Sequence, residues 1–247
     1  MVKLSVNINK IALIRNSRLS NLPDIYEMAK IAILNGADSI TVHPRPDLRH
    51  IRPCDVYRLS DITDSTELNI EGNPFEPENE NYPGFMTLVH KAKPHQCTLV
   101  PDEINQLTSD HGWDLVRDKD TLRPIIKKLK SQGVRVSLFM DPGLEAIQYE
   151  LAAHIGADRI ELYTEEYAKA YGTQGQGEIL KKYILAAEIA QSFGLEINAG
   201  HDLNLENISM LASSVDLKEV SIGHALIIDS LKYGLGNTVA KYREALA

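Results

Sequence analysis

In the stretch ITVHPRPDLRHI, Ile40–Ile51, an apolar run gives way to two histidines, two arginines and two prolines: His43, Pro44, Arg45, Pro46, Arg49 and His50. Titratable and cationic side chains placed directly past a strand-like run either bind an anion and move protons there or form an ordinary basic loop. Residues of similar character follow other short apolar runs. They are Asn7, Asn9 and Lys10 in VNINK, Glu71 in LNIEG, Asp141 after SLFM, Glu161 and Thr164 in IELYT, His201 in NAGHD and His224 in IGHA. Histidine and carboxylate titrate near neutral pH when their surroundings tune them, which multi-step proton transfer requires. AGHDLN and SIGHAL each set a glycine at a strand end before a helix, where exposed amides can hold a phosphate. Arg45 and His50 offer a second anion clamp. Two anion sites around His43, Glu71 and His201 point to condensation or isomerisation of small phosphorylated molecules. His90, His95, His111 and His154 fall elsewhere and are read as ordinary.

Such residues need a frame that gathers strand ends. Strand-like runs are expected at Leu4–Ile8, Ser39–Val42, Glu67–Ile70, Gln96–Val100, Val134–Phe139, Arg159–Tyr163, Leu195–Asn198 and Glu219–Ile222. Helical stretches separate them: one after Pro23, then Arg52–Ile62, Gly84–Ala92, Thr121–Gln132, Leu144–Ile155, Ile179–Phe193, Leu205–Ala212 and a last one from about Ala225. In NGADSITVH, QGVRVSLFMD, IGADRIELYT and FGLEINAGH a helix ends, a glycine stops it, and a strand follows. Eight strand–helix units without a composition break argue for an α/β protein, a single (β/α)8 TIM barrel with extra helices over residues 1–247. An open doubly wound sheet is the alternative, although no glycine-rich dinucleotide fingerprint follows the first strand. Two segments exceed a minimal barrel. EGNPFEPENENYPG is rich in Pro, Asn and Glu, and PDEINQLTSDHGWDLVRD is long enough to be a lid.

The totals restrict the partners. The 247 residues are 43% hydrophobic with a formal net charge of -8, so a general nucleic-acid or acidic-membrane footprint is not expected. Cys54 and Cys97 match no metal spacing or disulfide framework, and the N-terminus has no long apolar run, which fits a cytoplasmic protein. No His-x-His follows the first strand, so a metal is not expected. A Schiff-base aldolase needs a lysine projecting from a barrel strand, and neither Lys10 nor Lys218 is well placed for that. A non-catalytic phosphometabolite-binding protein is a further alternative.

Taken in order, VNINKIALIRNSR, GADSITVHPRPDLRHI, LNIEG, INAGHDL and SIGHAL resemble the pyridoxine 5′-phosphate synthase family from about Val6 to the C-terminus. The resemblance implies a barrel assembling as a homo-octamer, a tetramer of dimers, with no metal or organic cofactor. It implies a transferase joining 1-deoxy-D-xylulose 5-phosphate to 3-amino-2-oxopropyl phosphate, closing the ring of pyridoxine 5′-phosphate and releasing phosphate and water. By the same resemblance His43 and Glu71 are acid/base groups and His201 the proton donor. Asn7 and Arg18 bind the amino-ketone phosphate, Arg45 and His50 the sugar phosphate, and Gly223 and His224 hold phosphate. Ser109 stands where the family has a threonine that binds sugar phosphate, and Glu161 matches a family glutamate. Three features depart from the common pattern. Asn9-Lys10 replaces Asp-His at a position touching the sugar phosphate, Asp202 replaces a glycine, and the insertion Asn73–Tyr82 is atypical. The expectation is a sub-branch with the same reaction.

Overall fold

Most strands of this chain alternate strictly between apolar and polar residues, and that alternation builds the molecule. The computed structural model describes residues 1–62, 66–103 and 106–247. The chain runs β1 (Lys3–Asn7), α1 (Asn9–Asn16), α2 (Ile25–Leu34), β2 (Ser39–Val42), α3 (Pro53–Ser60) and β3 (Glu67–Gly72). A two-stranded hairpin, β4 (Glu78–Asn79) and β5 (Tyr82–Pro83), precedes α4 (Phe85–Ala92) and β6 (Gln96–Leu99). Next come α5 (Leu115–Ser131), β7 (Arg135–Met140), α6 (Ala146–His154), β8 (Arg159–Tyr163), α7 (Glu165–Ala170) and α8 (Gln176–Ser192). The last elements are β9 (Glu196–Gly200), α9 (Ile208–Ser214), β10 (Glu219–Ile222), α10 (His224–Tyr233) and α11 (Leu235–Ala245).

Among the described residues eight parallel strands close in the order β1-β10-β9-β8-β7-β6-β3-β2, which is the expected barrel. Leu4, Val6, Ile40, Val42, Leu68, Ile70, Val136 and Leu138 are fully or almost fully buried and belong to the single large apolar cluster the helices share. The intervening positions fill the barrel with polar side chains that bond to one another. Ser5 Oγ lies 2.6 Å from Thr41 Oγ1, Asn69 Nδ2 donates to Thr41 and Thr98, and Ser39 donates to Glu219. Arg159 reaches Gln96 Oε1 at 3.2 Å in the same interior. Barrel interiors are usually filled by branched apolar residues, so this one is a polar variant in which most of the buried polar groups bond across the strands, Ser137 Oγ being one that does not.

Local signals account for the helix ends. Asp24 caps α2 by accepting from the amides of Tyr26 and Glu27, and Gly36, Gly133, Gly156 and Gly194 all take positive φ where the four recurring helix stops were read. Three elements lay outside the sequence expectation: α1, α7 and the β4–β5 hairpin. Helix α1 buries Ile11, Ala12 and Arg15 on one face, a polar member that masks the helical period. Helix α5 begins at Leu115, six residues ahead of Thr121, because the Asp114 side chain caps it by accepting from Val116 N. The final helical segment is two helices, broken at Gly234.

Candidate active site

Inward alternation carries the polar series of each strand up to its C-terminal end, where a cavity of about 440 Å³ opens. The same faces that hold Ser5, Thr41, Asn69 and Thr98 inside the barrel deliver Asn7, His43, Glu71 and Val100 two residues later. Of the fourteen residues the resemblance singles out, thirteen line this cavity: Asn7, Asn9, Lys10, His43, Arg45, His50, Glu71, Ser109, Glu161, His201, Asp202, Gly223 and His224, whereas Asp141 and Thr164, named from the strand-end pattern, do not. The fourteenth, Arg18, does not. It is exposed two residues beyond α1 and outside the cavity of its own chain.

His43 sits at the centre. Its backbone amide donates to Asn9 Oδ1 at 2.9 Å, its Nδ1 lies 3.8 Å from Glu71 Oε2, and its Nε2 is buried without a hydrogen-bond partner among the described residues. Burial first, then the positive field of Arg45 with His50 and Arg49, holds its pKa well below the usual histidine value. A neutral imidazole with one unengaged nitrogen is a proton acceptor. Glu71 has the opposite environment. Burial and the Asp102 carboxylate push it up to about 8, with Arg45 opposing, so it exchanges a proton near neutral pH. Asn7 Nδ2 donates to Glu71 Oε2 at 3.3 Å, and Asn7 Oδ1 accepts from Asn9 N, which gives the half-buried amide at the strand end partners on both sides. Glu161 is raised well above the carboxylate range by burial, then by Glu71 and Glu219. Gly200 makes room for it, since a Cβ there would stand 2.4 Å from Glu161 Oε1.

His201 enters from the other side of the mouth. Its Nε2 lies 3.2 Å from Thr108 Oγ1, and its Nδ1 lies 3.4 Å from Asp202 Oδ2, within ion-pair reach but not aligned as a hydrogen bond. His201 and Asp202 both take positive φ, 91° and 58°, while Thr164 Oγ1 donates to the carbonyls of Gly200 and His201. Aspartate is among the few residues other than glycine that adopt such a backbone readily. The Asp202 carboxyl is held below its usual value by His201.

Two regions suited to hold an anion flank His43, Glu71 and His201. On one side, α1 fastens the loop after β2. Arg15 Nη2 and Asn16 Nδ2 donate to the His50 carbonyl, and Arg15 forms a buried pair with Asp55 at 2.5 Å. His50 Nδ1 accepts from Ile51 N at 3.0 Å, and burial with the Arg45 and Arg49 charges drives its pKa to about 3. The sequence placed His50 in a cationic clamp; the structure makes it a neutral donor whose proton resides on Nε2. The charge comes from Arg45 and Lys10. On the other side, the first intrahelical bond of α10 runs from Ile227 N to Gly223 O at 3.1 Å, leaving the preceding amides without partners in the helix. Lys10 lies close enough to His50 to oppose its protonation. Lys10→Met is therefore expected to raise the apparent KM for the ligand of the Arg45 side, with the KM of its co-substrate unchanged, in steady-state titrations of each. Equal effects on both would mean that Lys10 serves neither side selectively.

Sequence reasoning missed Asp102 and Leu107, and gave Arg49 and Thr108 no individual role. Asp102 is wholly buried behind Arg45, and the other three line the cavity. The segment read as a lid contributes Leu107, Thr108 and Ser109 to the cavity wall, and its residues 104 and 105 lie outside the described residues. The proline-flanked Arg45 was the available signal, because a buried guanidinium requires a carboxylate nearby.

A parallel barrel with paired anion regions and two oppositely tuned acid/base groups defines a barrel enzyme acting on phosphorylated small molecules. Solved structures agree on the fold. The tryptophan synthase alpha chain of Legionella pneumophila matches with a TM-score of 0.66 at 14% identity, covering 100% of this chain and 91% of that one. Phosphoribosyl anthranilate isomerase of Thermotoga maritima matches with a TM-score of 0.61 at 15% identity, covering 100% and 98%. The family model described as pyridoxal phosphate biosynthesis protein PdxJ matches residues 4–247. Relatives named pyridoxine 5′-phosphate synthase are 51% identical in Cytophaga hutchinsonii, over 100% of this chain and 99% of the relative, and 48% identical in Xylella fastidiosa, over 99% and 94%. The chain belongs to the pyridoxine 5′-phosphate synthase family.

Proposed function

We propose that this cavity performs the family's ring-closing condensation by acid–base catalysis, with 1-deoxy-D-xylulose 5-phosphate on the Arg45 side and 3-amino-2-oxopropyl phosphate on the α10 side. The amine attacks the sugar ketone with loss of water, phosphate leaves, and an aldol-type closure followed by loss of a second water forms the aromatic ring of pyridoxine 5′-phosphate. Every stage moves protons on or off carbon, nitrogen or oxygen, so several positioned acid/base groups are needed. His43 takes protons through its unengaged Nε2. Glu71, poised at about 8, passes protons in either direction, and His201 donates. Arg45, His50, Lys10 and Ser109 hold the sugar phosphate, while Asn7, Asp202, Gly223 and His224 surround the amino-ketone phosphate.

The observation that carries this reading is the meeting of a neutral His43 and a raised Glu71 within 3.8 Å, between two anion-binding regions. The test is product formation from the two phosphorylated substrates together, with each omitted in turn. Absence of pyridoxine 5′-phosphate from the complete mixture would overturn the reading. The described residues hold no group of three or more His, Cys, Asp and Glu suited to a metal. Turnover is accordingly expected to survive exhaustive chelation, and loss of activity restored by one added divalent metal would contradict it.

The same reading places the protein in the cytoplasm as a homo-octamer, a tetramer of dimers. Among the described residues no helix is long and apolar enough to cross a membrane, and Leu19 and Leu22 between α1 and α2, with Leu231 on α10, stand largely exposed. Exposed apolar side chains of this size are what an assembly would cover, which supports the reading. A single-chain mass by light scattering would refute it.

A further inference from the structure

The inserted segment after β3 does not line the cavity, yet it is built into the loops that do. Its Asn73 Nδ2 donates to the Asp102 carbonyl at 3.0 Å, and its Asn79 Nδ2 donates to the Pro46 carbonyl at 3.1 Å. Asn79 Oδ1 in turn accepts from the amides of Asn81 and Tyr82, so the contact residue is held rigid by its own turn. The hairpin thus grips the loop carrying Arg45 through Asn79, and the start of the insert grips the loop carrying Ser109 through Asn73. Between them lies Asp102, fully buried. Its Oδ2 accepts from both Arg45 Nη2 and Ser109 Oγ, the latter at 2.8 Å. Arg45 Nη1 also donates to Gln106 O at 3.3 Å.

Asp102 is absent from the cavity wall, so it lies behind the two phosphate ligands and not in the place the phosphate takes. Glu76 of the same insert buries both carboxyl oxygens, and Arg45, Asp102 and Asp47 all act on it electrostatically, with the Tyr82 hydroxyl beside it. A flexible arginine loses less freedom on binding an anion when its guanidinium is already fixed by a second carboxylate.

We propose that the β4–β5 insert and Asp102 form a brace that positions Arg45 and Ser109 for the sugar phosphate. This rests on the assignment of that side of the cavity to 1-deoxy-D-xylulose 5-phosphate. Asp102 and the two asparagines are positioning residues: they act through Arg45 and Ser109 and touch no substrate.

The test is a set of steady-state titrations of each substrate in three variants. Removing two neutral hydrogen bonds in the double variant Asn73→Ala/Asn79→Ala should raise the KM for 1-deoxy-D-xylulose 5-phosphate about tenfold. The amino-ketone KM and the saturated turnover should stay within about twofold, since only binding of one substrate is altered. Asp102→Asn, which keeps the shape and removes the charge, should give the same split with a larger KM change. Arg45→Met reports on the underlying assignment. If Arg45→Met leaves the sugar-phosphate KM unchanged, the assignment and the brace both fall. If Arg45→Met raises it while the double variant and Asp102→Asn do not, or while they change both KM values equally, the brace alone is overturned. Because Asn73 is half-buried and Asn79 exposed, the double variant is expected to fold, and its melting temperature should match that of the unaltered protein.

Discussion

His43→Asn is expected to cut saturated turnover by about 10²–10⁴-fold, the usual scale for losing a positioned acid/base group. The site separates this effect from binding. Imidazole Nδ1 faces Glu71 at 3.8 Å, while Nε2 has no hydrogen-bond partner among the described residues and is the nitrogen left to accept a proton. Asparagine keeps a polar side chain of similar reach but cannot accept and release a proton near neutral pH. Anion binding remains with Arg45, His50, Lys10 and the α10 amides, none of which bonds to the His43 side chain. Substrate KM values should therefore change little while the single-turnover rate collapses. A saturated rate within a few-fold of the unaltered enzyme would sink the assignment and leave Glu71 and His201 as the candidates. Weakened binding with normal saturated turnover would instead make His43 an anion ligand.

The site was legible because barrel strands write their chemistry at fixed places. In Ser39–His43 the inward positions are Ser39, Thr41 and His43, and in Glu67–Glu71 they are Glu67, Asn69 and Glu71, so the last inward residue before the loop is the functional one. Closure could not be read from periodicity, since an open sheet would alternate identically. Asp102 was hidden for a different reason. It follows a proline in a loop, and its role depends on Arg45 more than fifty residues earlier, a pairing that only the closed barrel creates. The pKa pattern was likewise out of reach: His43 and His50 look like cations in sequence, and burial among arginines is what makes them neutral. Arg18 shows the converse limit, because a resemblance carries a residue over by position, and the fold sets its side chain outside this cavity.

Glu71→Gln is expected to move activity and stability in opposite directions. The carboxyl is pushed up to about 8 in the folded protein, by burial and then by Asp102, from an ordinary value of 4.5. Between those two values the folded chain retains a proton that the unfolded chain has released. The group's stabilising contribution is therefore complete below about pH 4.5 and is lost as pH rises towards 8. Glutamine does not titrate and keeps a side chain of the same length beside Asn7. The variant should melt above the unaltered protein at pH 8, and the gap should close by about pH 5. Turnover should fall by about 10²-fold or more, because Glu71 is the carboxyl set beside His43 Nδ1, 3.8 Å away, to pass protons with it. The pH–rate limb that belongs to Glu71 should vanish as well. Its neighbour Glu161 is raised partly by the Glu71 charge, so any residual limb should move to lower pH once that charge is gone. Melting curves and pH–rate profiles of the one variant decide the matter together. Parallel loss of stability and activity would make Glu71 a structural acceptor for Asn7, and a melting gap independent of pH would show that the carboxyl does not titrate in this window.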